Sequence, residues 1–246
     1  MENLKEMLDL VRGVIQESKY LVCLKGVKVS TECGCTNYRV AKDAYAIEKQ
    51  YGLSAEEMFN ASYYNTRVNE FYDFYKKYMI SQLGELKEGL YVLKRLEEQG
   101  LLKCIITRDI FSLAKRAGCR NVLELHGSVY KNFCPHCREE YSIEYVQNSK
   151  GVPRCTKCKT VIRPGVALMG EMLDNGLVSK ASEEVSKADT LIVLGSNMKA
   201  NLTSMMVQYF QGDKIILINE EEHYADRLAD IVIHAKPMET LEKLGL

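Results

Sequence analysis

The chain has 246 residues, room for one large domain or a domain with a small module, and its 46% hydrophobic and 27% charged content excludes a disordered chain. Thirty-three Lys and Arg balance 33 Asp and Glu, so no chain-wide field draws it toward nucleic acid or an anionic membrane. There is no run of about 18 apolar residues to span a bilayer, and the expected location is cytoplasmic.

At the N-terminus Leu4, Met7, Leu8, Val11, Val14 and Ile15 recur at helical spacing among charges. That predicts an amphipathic helix, since a secretory signal needs an uninterrupted apolar stretch. Tyr20 to Leu24 reads as a strand running into a turn at Gly26. Residues 52–83 read as helical, with Ser54 as N-cap and Glu57 three positions on completing a capping box. Tyr63, Tyr64, Phe71, Tyr72, Phe74 and Tyr75 are expected to form the core of this helical module. A helix over 87–100 ends at Gly100, which suits a helix C-terminus. Residues 101–107 are the next strand. Beyond a cysteine-bearing segment follow helix 175–188, strand 190–196, a helix from about Ala200, strand 214–219, and strand 230–235 with a terminal helix. Helices alternating with apolar β-branched runs imply a doubly wound α/β domain, a parallel sheet covered on both faces, carrying two insertions.

Of nine cysteines, Cys23, Cys33, Cys35, Cys104 and Cys119 are scattered, while Cys134, Cys137, Cys155 and Cys158 form two CxxC pairs seventeen residues apart. An odd count, paired spacing and no export signal favour metal and free thiols over disulfides. Two such knuckles present four thiolates tetrahedrally to Zn²⁺. A site closed by four sulfurs is structural, not catalytic. His136, inside the first knuckle, is expected to be exposed.

The order of "LVCLKGVKVSTECGCTNYR", "ELHGS", "CPHC…CTKC", "IRPGVALMGE", "LIVLGSNM" and "IILINEEE" resembles the sirtuins, NAD-dependent protein lysine deacylases, along essentially the whole chain. The resemblance implies a Rossmann-type large domain (1–39, 85–129 and 163–246) and a small domain made of a helical module (40–84) and a zinc ribbon (130–162). An acyl-lysine protein or peptide and NAD would meet between them. It makes His126 the general base for a ribose hydroxyl. Gly26, Val27, Lys28 and Ser30 would form the first phosphate turn, Gly195, Ser196 and Asn197 the second. Arg39, Arg108, Asp109, Ile110, Asn219 and Glu220 would complete the cofactor side. Val166, Leu168, Met169, Gly170 and Glu171, with Lys199, would meet the substrate peptide.

Departures from the family pattern fall on the chemistry. The usual Gly-Ala-Gly-Ile-Ser is Gly26-Val27-Lys28-Val29-Ser30, so a lysine side chain stands where small residues let backbone amides approach phosphate. The usual Asp-Phe-Arg is Asn37-Tyr38-Arg39, and the cofactor loop that follows, 40–50, lacks glycine. The family's Thr-Gln-Asn-Ile-Asp, whose Asn and Asp hold nicotinamide, is Thr107-Arg108-Asp109-Ile110-Phe111. Three outcomes stay open: slow NAD turnover with Asp109 or Arg108 taking over polar contacts, binding of an adenosine nucleotide or ADP-ribose without efficient chemistry, or a Lys28–Asp109 ion pair filling the pocket. Tyr72 is not followed three residues later by arginine, so a preference for succinyl or malonyl lysine is not expected. The leading expectation is a divergent deacylase of the deacetylase type, binding NAD and structural zinc. The alternatives are a degenerate module sensing NAD, ADP-ribose or an acylated partner, and an ADP-ribosyltransferase or NAD hydrolase. Neither nucleic acid nor membrane is an expected partner.

Overall fold

The computed structural model describes residues 2–37 and 41–246. Six strands make its main sheet: β1 (Leu21–Lys25), β2 (Leu102–Thr107), β3 (Val122–Glu124), β4 (Thr190–Leu194), β5 (Lys214–Ile218) and β6 (Ile231–Ile233). Their order is β3-β2-β1-β4-β5-β6 and every pairing is parallel. The chain winds outward from β1 to β3, then returns and winds the other way from β4 to β6. A sheet wound in both directions leaves a crevice outside the carboxyl ends of its central strands, here β1 and β4.

β1 and β4 are buried along their whole length, which is why their sequences run apolar where a half-exposed strand would alternate. On one face Val22, Leu24, Cys104, Ile106, Leu191, Val193 and Leu217 pack with Ala181 and Val185 of helix Asn175–Lys187 and Met206 of helix Asn201–Val207. Helices Glu2–Glu17, Glu88–Glu98 and Pro237–Leu244 pack together on this unit. Gly100, just past the second of these, has φ +75°, the left-handed conformation that ends helices at glycine.

The expected helical stretch 52–83 is broken. Ser54 and Glu57 form the capping box, with the Ser54 amide donating to the Glu57 carboxylate at 2.8 Å, but the helix it opens is only Ala55–Met58. Asn60 then caps a second helix, Ala61–Thr66, by accepting from the Ser62 amide. A third, Val68–Phe74, winds into a π turn over Tyr75–Met79. Phe71, Tyr72, Phe74 and Tyr75 are at most 1% exposed, whereas Tyr63 and Tyr64 are only partly buried. The glycine-poor segment expected as a loop is helical over Ala41–Tyr51. Among the short elements not expected from the sequence are helices Val27–Glu32, Leu113–Arg116 and Ile143–Asn148, and strand β3.

The chain divides into two compact units. The first comprises Met1–Cys33, Glu85–Leu125 and Asp174–Leu246; the second comprises Gly34–Gly84 and His126–Leu173, so residues 163–173 are counted with the ribbon. In the second unit Asn132–Phe133 pairs antiparallel with Glu140–Tyr141. Among the described residues no helix is long and apolar enough to cross a membrane.

Candidate functional site

In the first unit the chain leaves β1 at Gly26 and enters helix Val27–Glu32. The Gly26 amide donates to the Leu194 carbonyl at 2.7 Å and the Lys28 amide to the Gly195 carbonyl at 3.1 Å, lacing the turn after β1 to the turn after β4. A Cβ on Gly26 would lie 2.4 Å from the Gly195 oxygen, and Gly195 has φ +61°. Only glycine at both positions lets the two turns meet.

Ser30 is 4% exposed, and its Oγ has no hydrogen-bond partner among the described residues. Asn219, at the end of β5, is equally buried; its Nδ2 donates to the Glu221 carbonyl at 2.7 Å while Oδ1 has no partner. A buried polar atom left unpaired costs about 1–3 kcal/mol. Two of them, one in the helix that follows β1 and one just past β5, fit a polar ligand such as a dinucleotide. Ser196 Oγ shares a hydrogen bond with Thr203 Oγ1 at 2.9 Å, and Asn197 Oδ1 accepts from the Lys199 amide at 3.0 Å, so the second turn is ordered from within. Val27, Lys199 and Glu220 are exposed. Arg39 lies outside the described residues.

The Lys28–Asp109 pair, one of the three outcomes left open, does not form. Lys28 Nζ donates instead to the Glu221 carboxylate at 2.5 Å on the surface. Asp109 pairs at 3.0 Å with Lys25, and both side chains are 0% exposed. Register explains the exchange: β1 aligns Lys25 with Thr107 of β2, two positions before Asp109, whereas Lys28 already belongs to the following helix. The Asp109 carboxylate also accepts from the amides of Phe111 at 2.8 Å and Leu113 at 3.3 Å. Burial alone would raise its pKa; the Lys25 ammonium and these amides outweigh burial and hold it below the ordinary aspartate value. Asp109, expected on the cofactor, thus has its side chain sealed inside the fold. Arg108 is exposed, Ile110 half-buried and Phe111 buried. Lys25 was missed from the sequence, although a lysine closing an otherwise apolar buried strand demands an acid partner.

In the second unit His126 and Gly127 lie along the segment expected to meet the peptide. Gly127 pairs antiparallel with Val166, and the His126 carbonyl accepts from the Ala167 amide at 2.9 Å. Gly165 passes so close to Lys131 that a Cβ there would be 1.5 Å from its carbonyl oxygen. Asn60 bridges Met169 on the far end. Val166 and Leu168 are buried, while Met169 is 44% and Met172 85% exposed. Glu171 accepts two 2.6 Å hydrogen bonds from Arg163 Nη2 and a third from the Leu168 amide at 2.7 Å, which fixes the bend around Gly170.

The four paired cysteines converge, their sulfurs all within 4.8 Å of one another. Cys134 and Cys158 are 3.3 Å apart and Cys137 and Cys155 3.5 Å, near the roughly 3.8 Å edge of a tetrahedron with 2.3 Å zinc–sulfur bonds. Tyr141 donates its hydroxyl to Cys155 Sγ at 3.2 Å, which, with backbone amides, brings that thiol down to about 6. The donor set fits zinc. His136 is exposed and outside this group. Among the described residues no other cluster of three or more His, Cys, Asp or Glu can hold a metal.

The model of the Sir2 family matches residues 26–201. An NAD-dependent protein deacetylase of Clostridium perfringens is 35% identical over 230 residues, covering 93% of this chain and 94% of its own. One of Clostridium acetobutylicum is 33% identical over 231 residues, covering 94% of each. A solved complex of Sir2 with a p53 peptide and NAD+ superposes with a TM-score of 0.79 at 29% identity, over 98% of this chain and 96% of that one. A family match over more than half of the residues, with relatives aligned along nearly all of them, leads to one conclusion: the chain belongs to the Sir2 family.

Proposed function

We propose that the chain is an NAD-dependent protein lysine deacylase of the deacetylase type, moving an acyl group from lysine to ADP-ribose with release of nicotinamide. The observation that carries this reading is the paired turn of the first unit, with Gly26 and Gly195 in backbone contact, together with two buried polar atoms, Ser30 Oγ and Asn219 Oδ1, that have no partner among the described residues. The activity named for its relatives supports it. NAD, when bound, supplies the ribose acceptor and the nicotinamide leaving group. Ser30 and Asn219 orient the nucleotide through Oγ and Oδ1, with Arg39, Arg108, Ile110 and Glu220 assigned to the same side. His126 takes the ribose hydroxyl proton. The segment 166–171 receives the peptide, and Met169 and Met172 offer it apolar contact. Zinc on the four cysteines holds the ribbon and takes no part in the chemistry.

A second reading, ADP-ribose binding with little turnover, draws on the Lys25–Asp109 pair, which removes from the pocket a side chain that the family uses on nicotinamide. One assay separates the two: purified protein with NAD and an acetyl-lysine peptide, followed by nicotinamide release. Release that falls by about 10²–10⁴-fold in His126→Ala supports the deacylase. No release, with ADP-ribose still bound in calorimetry, leaves the second reading standing alone.

A further inference from the structure

Lys28 joins three strand ends. Its backbone belongs to the turn after β1, and its Cβ lies 3.1 Å from where a side chain on Gly195, in the turn after β4, would begin. Its ammonium reaches Glu221, three residues beyond the end of β5. The side chain therefore runs across the mouth of the crevice at the switch point of the sheet, the place where a doubly wound fold binds its ligand. Its hold on Glu221 is weak, because the side chains are 43% and 68% exposed and an ion pair in water contributes little. Ser30, on the same short helix that carries Lys28, has an Oγ with no hydrogen-bond partner among the described residues.

We infer that Lys28 is a specificity-determining residue for the diphosphate of the nucleotide: in the free protein its ammonium is held by Glu221, and on binding it exchanges that carboxylate for phosphate oxygens. Glu221 is then an internal competitor that stands in for the ligand's negative charge. A lysine here trades the close backbone approach that a small residue would allow for a mobile positive charge, which a phosphate accepts as a point-charge contact. This inference rests on the nucleotide reading given above, but concerns discrimination among nucleotides, not turnover.

The test is calorimetric, with adenosine, ADP and ADP-ribose as probes at two salt concentrations. Lys28→Met should weaken ADP and ADP-ribose by about tenfold or more, leave adenosine unchanged, and flatten the salt dependence. Lys28→Arg should restore most of the loss. Glu221→Gln should tighten ADP and ADP-ribose by up to about fivefold, the share released when an exposed pair is dissolved. Equal weakening of all three probes by Lys28→Met, or no change in either variant while the wild type binds, overturns the exchange and leaves the nucleotide reading intact. Failure of the wild type to bind any probe overturns both.

Discussion

Asp109 and Lys25 carry opposite charges at a depth no water reaches, and that makes each dangerous without the other. Asp109→Asn leaves a buried ammonium without its counter-charge and should cost about 3–5 kcal/mol in urea unfolding, as should Lys25→Met. Replacing both, by Lys25→Met with Asp109→Asn, which keeps an amide oxygen to accept from the Phe111 and Leu113 amides, should recover most of that loss. Acid adds a second check. A carboxyl held below its ordinary pKa contributes stability that is complete above its unfolded value of about 3.9 and is lost as pH falls through the folded one. Stability measured from pH 5 down to pH 2 should therefore fall more steeply in the wild type than in the double variant. The motif order made Asp109 conspicuous in the sequence but could not reveal its partner. Lys25 and Asp109 are 84 positions apart, and only the alignment of β1 with β2 brings them together, whereas Lys28 seemed nearer because it shares a motif with known pocket positions.

At the scale of elements, the buried apolar strands were legible, whereas the expected helical stretch 52–83 broke into shorter helices and several short elements gave no signal. The five- and six-residue strands β1, β2, β4 and β5 were legible because buried apolar runs of that length have few other uses. β3 spans three residues, too few to show a period. Helix Val27–Glu32 has the sequence VKVSTE, rich in β-branched residues that weigh against helix; it forms because Gly26 and the Gly195 turn start it. The zinc ribbon was legible from spacing alone, since metal ligands leave a chemical mark where hydrogen bonds leave none. Its strands are two residues long and cannot stand without metal. Chelation should melt the ribbon, with loss of far-UV ellipticity, and cobalt added to the stripped protein should give the intense visible spectrum of a tetrahedral thiolate site. A six-coordinate, weakly coloured cobalt complex would contradict the four-sulfur assignment.

For the whole molecule, the alternation of strand and helix signals was enough to anticipate a parallel doubly wound sheet, and the order of the motifs was enough to anticipate the Sir2 family to which the chain belongs. What sequence could not supply was which expected contacts are already satisfied within the protein: Ser196 Oγ is bonded to Thr203 and Asn197 Oδ1 to the Lys199 amide, whereas Ser30 Oγ and Asn219 Oδ1 have no partner among the described residues. That difference sets a global expectation. A ligand that binds only the folded state, at one hundred times its Kd, raises the unfolding free energy by about 2.7 kcal/mol. ADP-ribose should stabilise the wild type by that amount, and Ser30→Ala with Asn219→Ala should reduce the gain measured at the same ADP-ribose concentration. An unchanged gain in the double variant would place the nucleotide elsewhere.

The four cysteines of the ribbon are not equivalent to the outside world. Cys134 and Cys155 are buried, Cys158 is partly covered and Cys137 is exposed. Any electrophile or peroxide must therefore arrive at Cys137 first, and the loss of that one thiolate opens a closed coordination shell to water. Alkylation followed by peptide mass mapping should show Cys137 labelled before Cys158, and Cys134 and Cys155 only after the metal has left. The ribbon is then a fuse with a defined burning end, the one solvent-facing sulfur of Cys137.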